Sequence, residues 1–146
     1  MEWKRGDFSI STDRGRLDRD AIHAFLSNAY WAKGIPREVL DRSIENALCF
    51  GVYEGPKLVG FARVITDSAT FAYLADVFVL ESHRGRGLSK WLMEIILGHP
   101  ELQGLRRWTL ATRDAHGLYE QFGFRKLTSP ERLMEIVDMD IYLRRP

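Results

Sequence analysis

Apolar positions along this chain recur with two distinct periods. Ile22, Phe25, Leu26 and Ala29 stand at helical spacing, which predicts a helix over Asp18–Asn28. Gly34 and Pro36 punctuate, and Pro36 suits the first turn of a second helix running to about Ala47. Leu48–Tyr53 and Leu58–Thr66 read as strands around the turn Glu54-Gly55-Pro56-Lys57. The next run, Phe71–Leu80, is apolar on both alternating faces and is interrupted only by Asp76, the pattern of a strand covered on both sides. Leu88, Trp91, Leu92, Ile95 and Ile96 make an amphipathic helix that stops near Gly98-His99-Pro100. Trp108–Thr112 predicts a short strand and Ala115–Phe122 a short helix closed by Gly123. Two further strands are expected near Phe124–Leu127 and Ile136–Leu143.

Helices, then antiparallel strands, then strand–helix–strand–helix–strand make an α+β fold with a mixed sheet. The 146 residues suit a single domain spanning 1–146. Lys and Arg number 21 against 20 Asp and Glu, so the net charge is +1 and a dedicated nucleic-acid binder is disfavoured. The one cysteine, Cys49, cannot form an internal disulfide, and with four scattered histidines it builds no metal site, so a reducing compartment is expected. No stretch is apolar for long enough to span a membrane, and the first residues carry no secretory h-region. A soluble cytoplasmic protein is the expectation, with oligomeric state open and a homodimer compatible with these features.

Charge is unevenly spread. Residues 84–126 hold eight Lys and Arg against four Asp and Glu, so an anionic ligand belongs in that segment. It opens with His83-Arg84-Gly85-Arg86-Gly87-Leu88-Ser89-Lys90, where the buried strand turns through two glycines into a helix. The first helical N–H groups lack partners, the helix dipole puts partial positive charge there, and glycines admit a phosphate to the backbone. Neither a Gly-x-x-x-x-Gly-Lys-[Ser/Thr] loop nor a Gly-x-Gly-x-x-Gly fingerprint is present, which disfavours a nucleotide-phosphate binder.

Arg84-Gly85-Arg86-Gly87-Leu88-Ser89 after Val77-Phe78-Val79 resembles the acetyl-CoA loop of the GNAT superfamily of N-acetyltransferases. About thirty residues on, Ala115-His116-Gly117-Leu118-Tyr119-Glu120-Gln121-Phe122-Gly123-Phe124 resembles the second signature of that family. The resemblance implies a mostly antiparallel central sheet flanked by helices, with a V-shaped splay between two central parallel strands. It implies acetyl-CoA as co-substrate, no metal, and a primary amine as acceptor, a small molecule by default. By the same resemblance Val77, Phe78 and Val79 would pair with the pantetheine arm, and the N–H groups from Gly85 to Ser89 would hold the pyrophosphate. Ser89 departs from the usual small Gly/Ala, and Thr112 stands where many members have asparagine.

Tyr119 holds the place of the family's general acid, a donor of pKa near 10 beside a leaving thiolate. Asp76 is either a general base or a structural partner of Arg63. His83 and His116 read as polar caps before bases, and Cys49 as an inert buried thiol. Tyr30 and Trp31 are expected to wall the amine pocket. A non-catalytic acyl-CoA binding or sensing module on the same fold is the alternative reading.

Overall fold

The computed structural model describes residues 1–144. Six strands form one sheet in the order of the chain: β1 (Glu2–Arg5), β2 (Phe8–Ser11), β3 (Leu48–Glu54), β4 (Lys57–Thr66), β5 (Phe71–Val79) and β6 (Arg107–Leu110). Every neighbouring pair is antiparallel except β5 and β6, which run parallel. Four helices complete the fold: α1 (Arg19–Leu26), α2 (Arg37–Glu45), α3 (Leu88–Gly98) and α4 (His116–Glu120).

The helices cover both faces of the sheet. On one face Leu88, Trp91, Leu92, Met93 and Ile96 of α3 bury against Phe50, Val52, Val59, Ala62 and Val64. On the other, Ile22 and Leu26 of α1 and Leu40 and Ile44 of α2 bury against Cys49, Tyr53, Leu58, Phe61 and Phe78. Alternation along β5 sends Phe78 to the second face and Val79 to the first, as a strand covered on both sides requires. Asp18 starts α1 by accepting from the Ala21 N–H at 3.0 Å, a side-chain cap on an otherwise unpaired donor. Pro36 precedes α2 with φ −66°, already set for a helical entry.

Two parts of the architecture differ from the sequence-based expectation. The sheet begins with β1 and β2, a hairpin around Gly6-Asp7 in which Gly6 takes φ +59°. Its strands are short and mostly polar, yet a two-residue Gly-Asp turn between them is a hairpin signal. At the other end, neither Phe124–Leu127 nor Ile136–Leu143 is a strand; only a 3-10 turn at Ile141–Leu143 is regular. Both segments have the apolar content of strands, but no edge of the sheet pairs with them, and alternation without a partner makes no ladder. The parallel pair therefore ends the sheet, with β6 as an edge strand. Among the described residues no helix is long and apolar enough to cross a membrane.

Close packing at the β4–β5 contact sets a test of the fold. A Cβ added at Gly60 would lie 3.0 Å from the Phe78 carbonyl oxygen and 3.1 Å from Val52 Cβ. Backbone cannot step aside as a flexible side chain can. Gly60→Ala is expected to cost about 1–3 kcal/mol in urea denaturation.

Candidate active site

From Val79 the chain passes through a 3-10 turn, Glu81–His83, into the glycine loop and then α3. Gly85 and Gly87 take φ +80° and +75°, a backbone that side-chain-bearing residues adopt at a cost. Gly87 is the N-cap of α3 and offers no side chain to the helix end. The first intrahelical bond is from the Trp91 N–H to the Gly87 carbonyl, so the N–H groups before it are left for another acceptor. A Cβ placed on Gly85 or Gly87 would meet nothing within 4 Å, so a ligand can approach the backbone there.

The side chains around the loop divide into those that build it and those that face outward. Arg84 Nε donates to the Val79 carbonyl at 3.2 Å and ties the loop to the end of β5. His83 is buried; its Nε2 lies 3.0 Å from Glu54 Oε1, and its Nδ1 lies 2.8 Å from Ser82 Oγ. The hydrogen bond from His83 is the main reason the Glu54 carboxyl is held below its usual range. Arg86 stands 3.6 Å from the same carboxylate, half exposed. His83 thus joins the β3–β4 turn to the loop and is no free base. Lys90 is exposed on the first turn of α3.

The gap beside the loop comes from two register events in β5. Its parallel pairing with β6 covers only Phe71–Leu74 against Arg107–Leu110, so Ala75–Val79 have no strand on that side. Against β4, Phe61 faces Phe78 and Arg63 faces Ala75, so Asp76 and Val77 together oppose a single residue, Ala62. That extra residue is a β-bulge, and Asp76 adopts φ +56° within it. The two parallel strands are paired at one end and open at the other.

A turn segment after α1 spans the opening. Trp31 Nε1 donates to Asp76 Oδ1 at 2.8 Å, and Arg63 Nε donates to Asp76 Oδ2 at 2.8 Å. The Asp76 side chain is only 7% exposed. On the far side the Arg113 N–H donates to Tyr30 Oη at 3.2 Å, and the Arg113 guanidinium carbon sits 3.8 Å above the Tyr30 ring. Adjacent residues of one turn thus reach both arms of the V. The helix ends at Leu26, so Tyr30 and Trp31 lie in turns and both are exposed, with their rings 5.1 Å apart and edge to face. Arg113 was visible in the sequence only as a charge; nothing in its spacing points to a residue 83 positions away.

Tyr119 on α4 is buried and packs edge to face against Phe124 at 5.9 Å. Burial first, and neighbouring Tyr30 second, push its phenol above the usual range, so it stays protonated. Its hydroxyl makes no hydrogen bond among the described residues. Thr112 lies beyond the end of β6, and its hydroxyl accepts from the Ala115 N–H at 3.0 Å, which sets the entry to α4. His116 is exposed at the first position of that helix. Cys49 is buried, and burial pushes its thiol up to about 11.

The acetyltransferase (GNAT) family profile matches residues 17–124, a span from the approach to α1 through α4. A Gibberella zeae protein named "Putative acetyltransferase" is 37% identical over 142 residues, covering 82% of this chain and 79% of its own. The crystal structure of a "putative acetyltransferase belonging to the GNAT family" from Xanthomonas campestris superposes with a TM-score of 0.91 at 52% identity. That match covers 92% of this chain and 96% of the other. A Clostridium acetobutylicum "predicted acetyltransferase with acetyl-CoA" shares the fold at 11% identity and a TM-score of 0.64, covering 94% and 96% of the two chains. These matches define an acyltransferase enzyme. The chain belongs to the GNAT family of acetyltransferases.

The Trp31–Asp76 bond gives a measurable handle on the bridging turn. Trp31→Phe keeps a ring and deletes the donor to a carboxylate, a bond of about 1.5–3 kcal/mol. Hydrogen exchange at residues 27–34 is expected to quicken about tenfold or more, with amides of β3 and β4 unchanged. Equal protection in both proteins would show that the turn is held by other contacts.

Proposed function

We propose that this enzyme moves the acetyl group of acetyl-CoA to the primary amine of a small molecule by direct attack within a ternary complex. The observation that carries the reading is the bare N-terminus of α3, framed by two left-handed glycines and set at the open end of the β5–β6 splay. Its N–H groups from Gly85 to Ser89 suit a pyrophosphate, with Arg84, Arg86 and Lys90 adding positive charge. The uncovered side of Val77, Phe78 and Val79 offers backbone groups to an amide-bearing pantetheine arm. The room above both glycines fits that cargo.

Within the splay each residue has a task. Tyr119 gives its proton to the departing sulfur as the amine nitrogen bonds to the carbonyl carbon and the carbon–sulfur bond breaks; the proton the nitrogen sheds passes to water, and water restores the phenol. A phenol raised by burial stays protonated at neutral pH, so its proton is in place when the sulfur departs. Asp76 accepts from Arg63 and Trp31 with its two oxygens, which supports the structural alternative over the general base. Through those bonds it sets the shape of β5 and the position of the turn. Tyr30 and Trp31 provide aromatic walls for an organic amine; both are exposed, and Arg113 covers one face of the Tyr30 ring. Thr112 supports α4 and, through it, Tyr119.

CoA release measured across polyamines, arylalkylamines, aminoglycosides, amino acids and peptide N-termini tests the reading. Turnover with a member of the panel supports it. Tight acetyl-CoA binding with no turnover across the whole panel would favour a non-catalytic acyl-CoA sensor.

Two variants test the assigned roles. Gly87→Val puts a branched side chain on a left-handed backbone and over the helix N–H groups. Acetyl-CoA affinity by calorimetry is expected to fall at least about tenfold with the fold intact. Tyr119→Phe keeps the ring and deletes the proton, so kcat is expected to fall about a hundredfold or more while acetyl-CoA affinity holds. The wild-type pH profile carries the same sign: Tyr119 donates while protonated, and its pKa lies above the usual phenol value. Its contribution to kcat should therefore persist to about pH 10 and be lost only above it.

A further inference from the structure

The two arms of the β5–β6 opening carry unequal charge. On the β5 side Asp76 is buried, and both of its oxygens are taken, one by Arg63 and one by Trp31. Arg63 and Asp76 therefore cancel. On the other side stands Arg113, three residues past the end of β6 and exposed. It makes no ion pair among the described residues, not even with its neighbour Asp114. A net positive charge is left at the mouth of the splay.

Arg113 is nonetheless held in place. Its N–H donates to Tyr30 Oη at 3.2 Å, and its guanidinium carbon lies 3.8 Å from the centre of that ring. Arg5 on Trp91 and Arg16 on Tyr53 make similar contacts at longer range, 5.2 and 4.3 Å. Stacking takes up one face of the planar group, whereas its N–H donors point outward within the plane. The fork that matches a carboxylate is left free. Elsewhere the guanidiniums of Arg14 and Arg84 bond backbone carbonyls, and those of Arg19 and Arg37 bond Asp41. The Arg113 guanidinium donates to no acceptor among the described residues. A cation already oriented and still unpaired loses little freedom when a ligand anion meets it.

We propose that Arg113 selects acceptors that carry a carboxylate beside the amine, the chemistry of amino acids. The inference rests on the proposed acetyl transfer and names the substrate class of that same site. Tyr30, which Arg113 grips, is the proposed wall of the amine pocket. Tyr119, raised first by burial, also feels the charge of Tyr30, so the three residues share one neighbourhood. One guanidinium matches the single charge of a carboxylate. A phosphate monoester carries close to two, and Arg63 on the facing arm is already engaged by Asp76. Polyamines and aminoglycosides, cationic along their length, would meet repulsion at Arg113. The carboxylate takes no part in the transfer: it anchors the substrate while the amine reacts.

The test pairs standard amino acids with their primary amides, which keep the amine and the side chain and lose the negative charge. CoA-release kinetics should give the preferred amino acid a KM at least about tenfold below that of its amide. In Arg113→Gln that preference should vanish, while acetyl-CoA affinity by calorimetry holds. Arg113→Lys keeps the charge without the fork and should retain part of it. The ratio within each pair is the quantity read, because a purely structural role at Tyr30 would weaken both members alike. Saturation-transfer NMR on the CoA-bound enzyme follows binding of the same pairs without turnover. Amino-acid binding that depends on Arg113, with no CoA release, would uphold the carboxylate site and overturn acetyl transfer. Turnover without preference in any pair, turnover confined to amines lacking a carboxylate, or a preference that survives Arg113→Gln would overturn the inference and leave acetyl transfer standing. Phosphoethanolamine against ethanolamine separates the two anions: an Arg113-dependent preference for the phosphate in place of the carboxylate would overturn it as well. Neither binding nor turnover with any pair would overturn both.

Discussion

The Asp76 carboxylate holds together the part of the molecule on which the site depends. Its backbone sits at φ +56°, a conformation that costs a non-glycine residue about 1–3 kcal/mol and persists only when the surroundings over-determine it. Arg63 from β4 and Trp31 from the bridging turn each give one hydrogen bond to one oxygen, and the side chain is almost wholly withdrawn from water. Release of either partner would leave a buried charge short of a donor. The bulge is therefore locked, and β5 turns while β6 stops at Leu110. The opening between the strands is a consequence of that lock and of the short β6.

Much of this was legible from periodicity. The helical spacing of Ile22, Phe25 and Leu26, the double-faced apolar run of β5 and the glycine loop before α3 all lie within a dozen residues of chain, where local physics decides. The family's two short signatures lie in this legible class, since each needs a backbone shape that its own residues encode. Illegible parts were those settled by partners distant in sequence. Asp76 carried two readings until Arg63, thirteen residues away, and Trp31, forty-five away, proved to bond it. Arg113 joins Tyr30 across a still longer loop. The C-terminal residues show the converse: Ile136–Leu143 has the pattern of a strand, but a pattern supplies only half of a ladder.

The site separates holding from reacting. Backbone N–H groups and outward cations at the α3 end are general tools for an anion, and they distinguish poorly among chemistries. In the proposed reaction the specific chemistry requires a proton donor in a dry place, the task assigned to Tyr119 on a helix whose entry is fixed by Thr112. The same proposal gives acceptor choice to the turn that carries Tyr30 and Trp31, which is pinned at two points and exposed between them. A turn of that kind can change its side chains with little effect on the core, since Ala29 and Ala32 are its buried members.

Cys49 has a practical consequence. The chain has one thiol, closed off between the sheet and the α1–α2 face, and burial keeps it protonated far above neutral pH. Disulfide reagents and maleimides react with exposed thiolates, so the native protein is silent to them. Any thiol that such a reagent detects in a reaction mixture would then be the CoA of the proposed reaction, and no cysteine need be removed first. A single cysteine introduced elsewhere on the surface would be the one reactive position in the molecule, ready to carry a probe without a background to subtract.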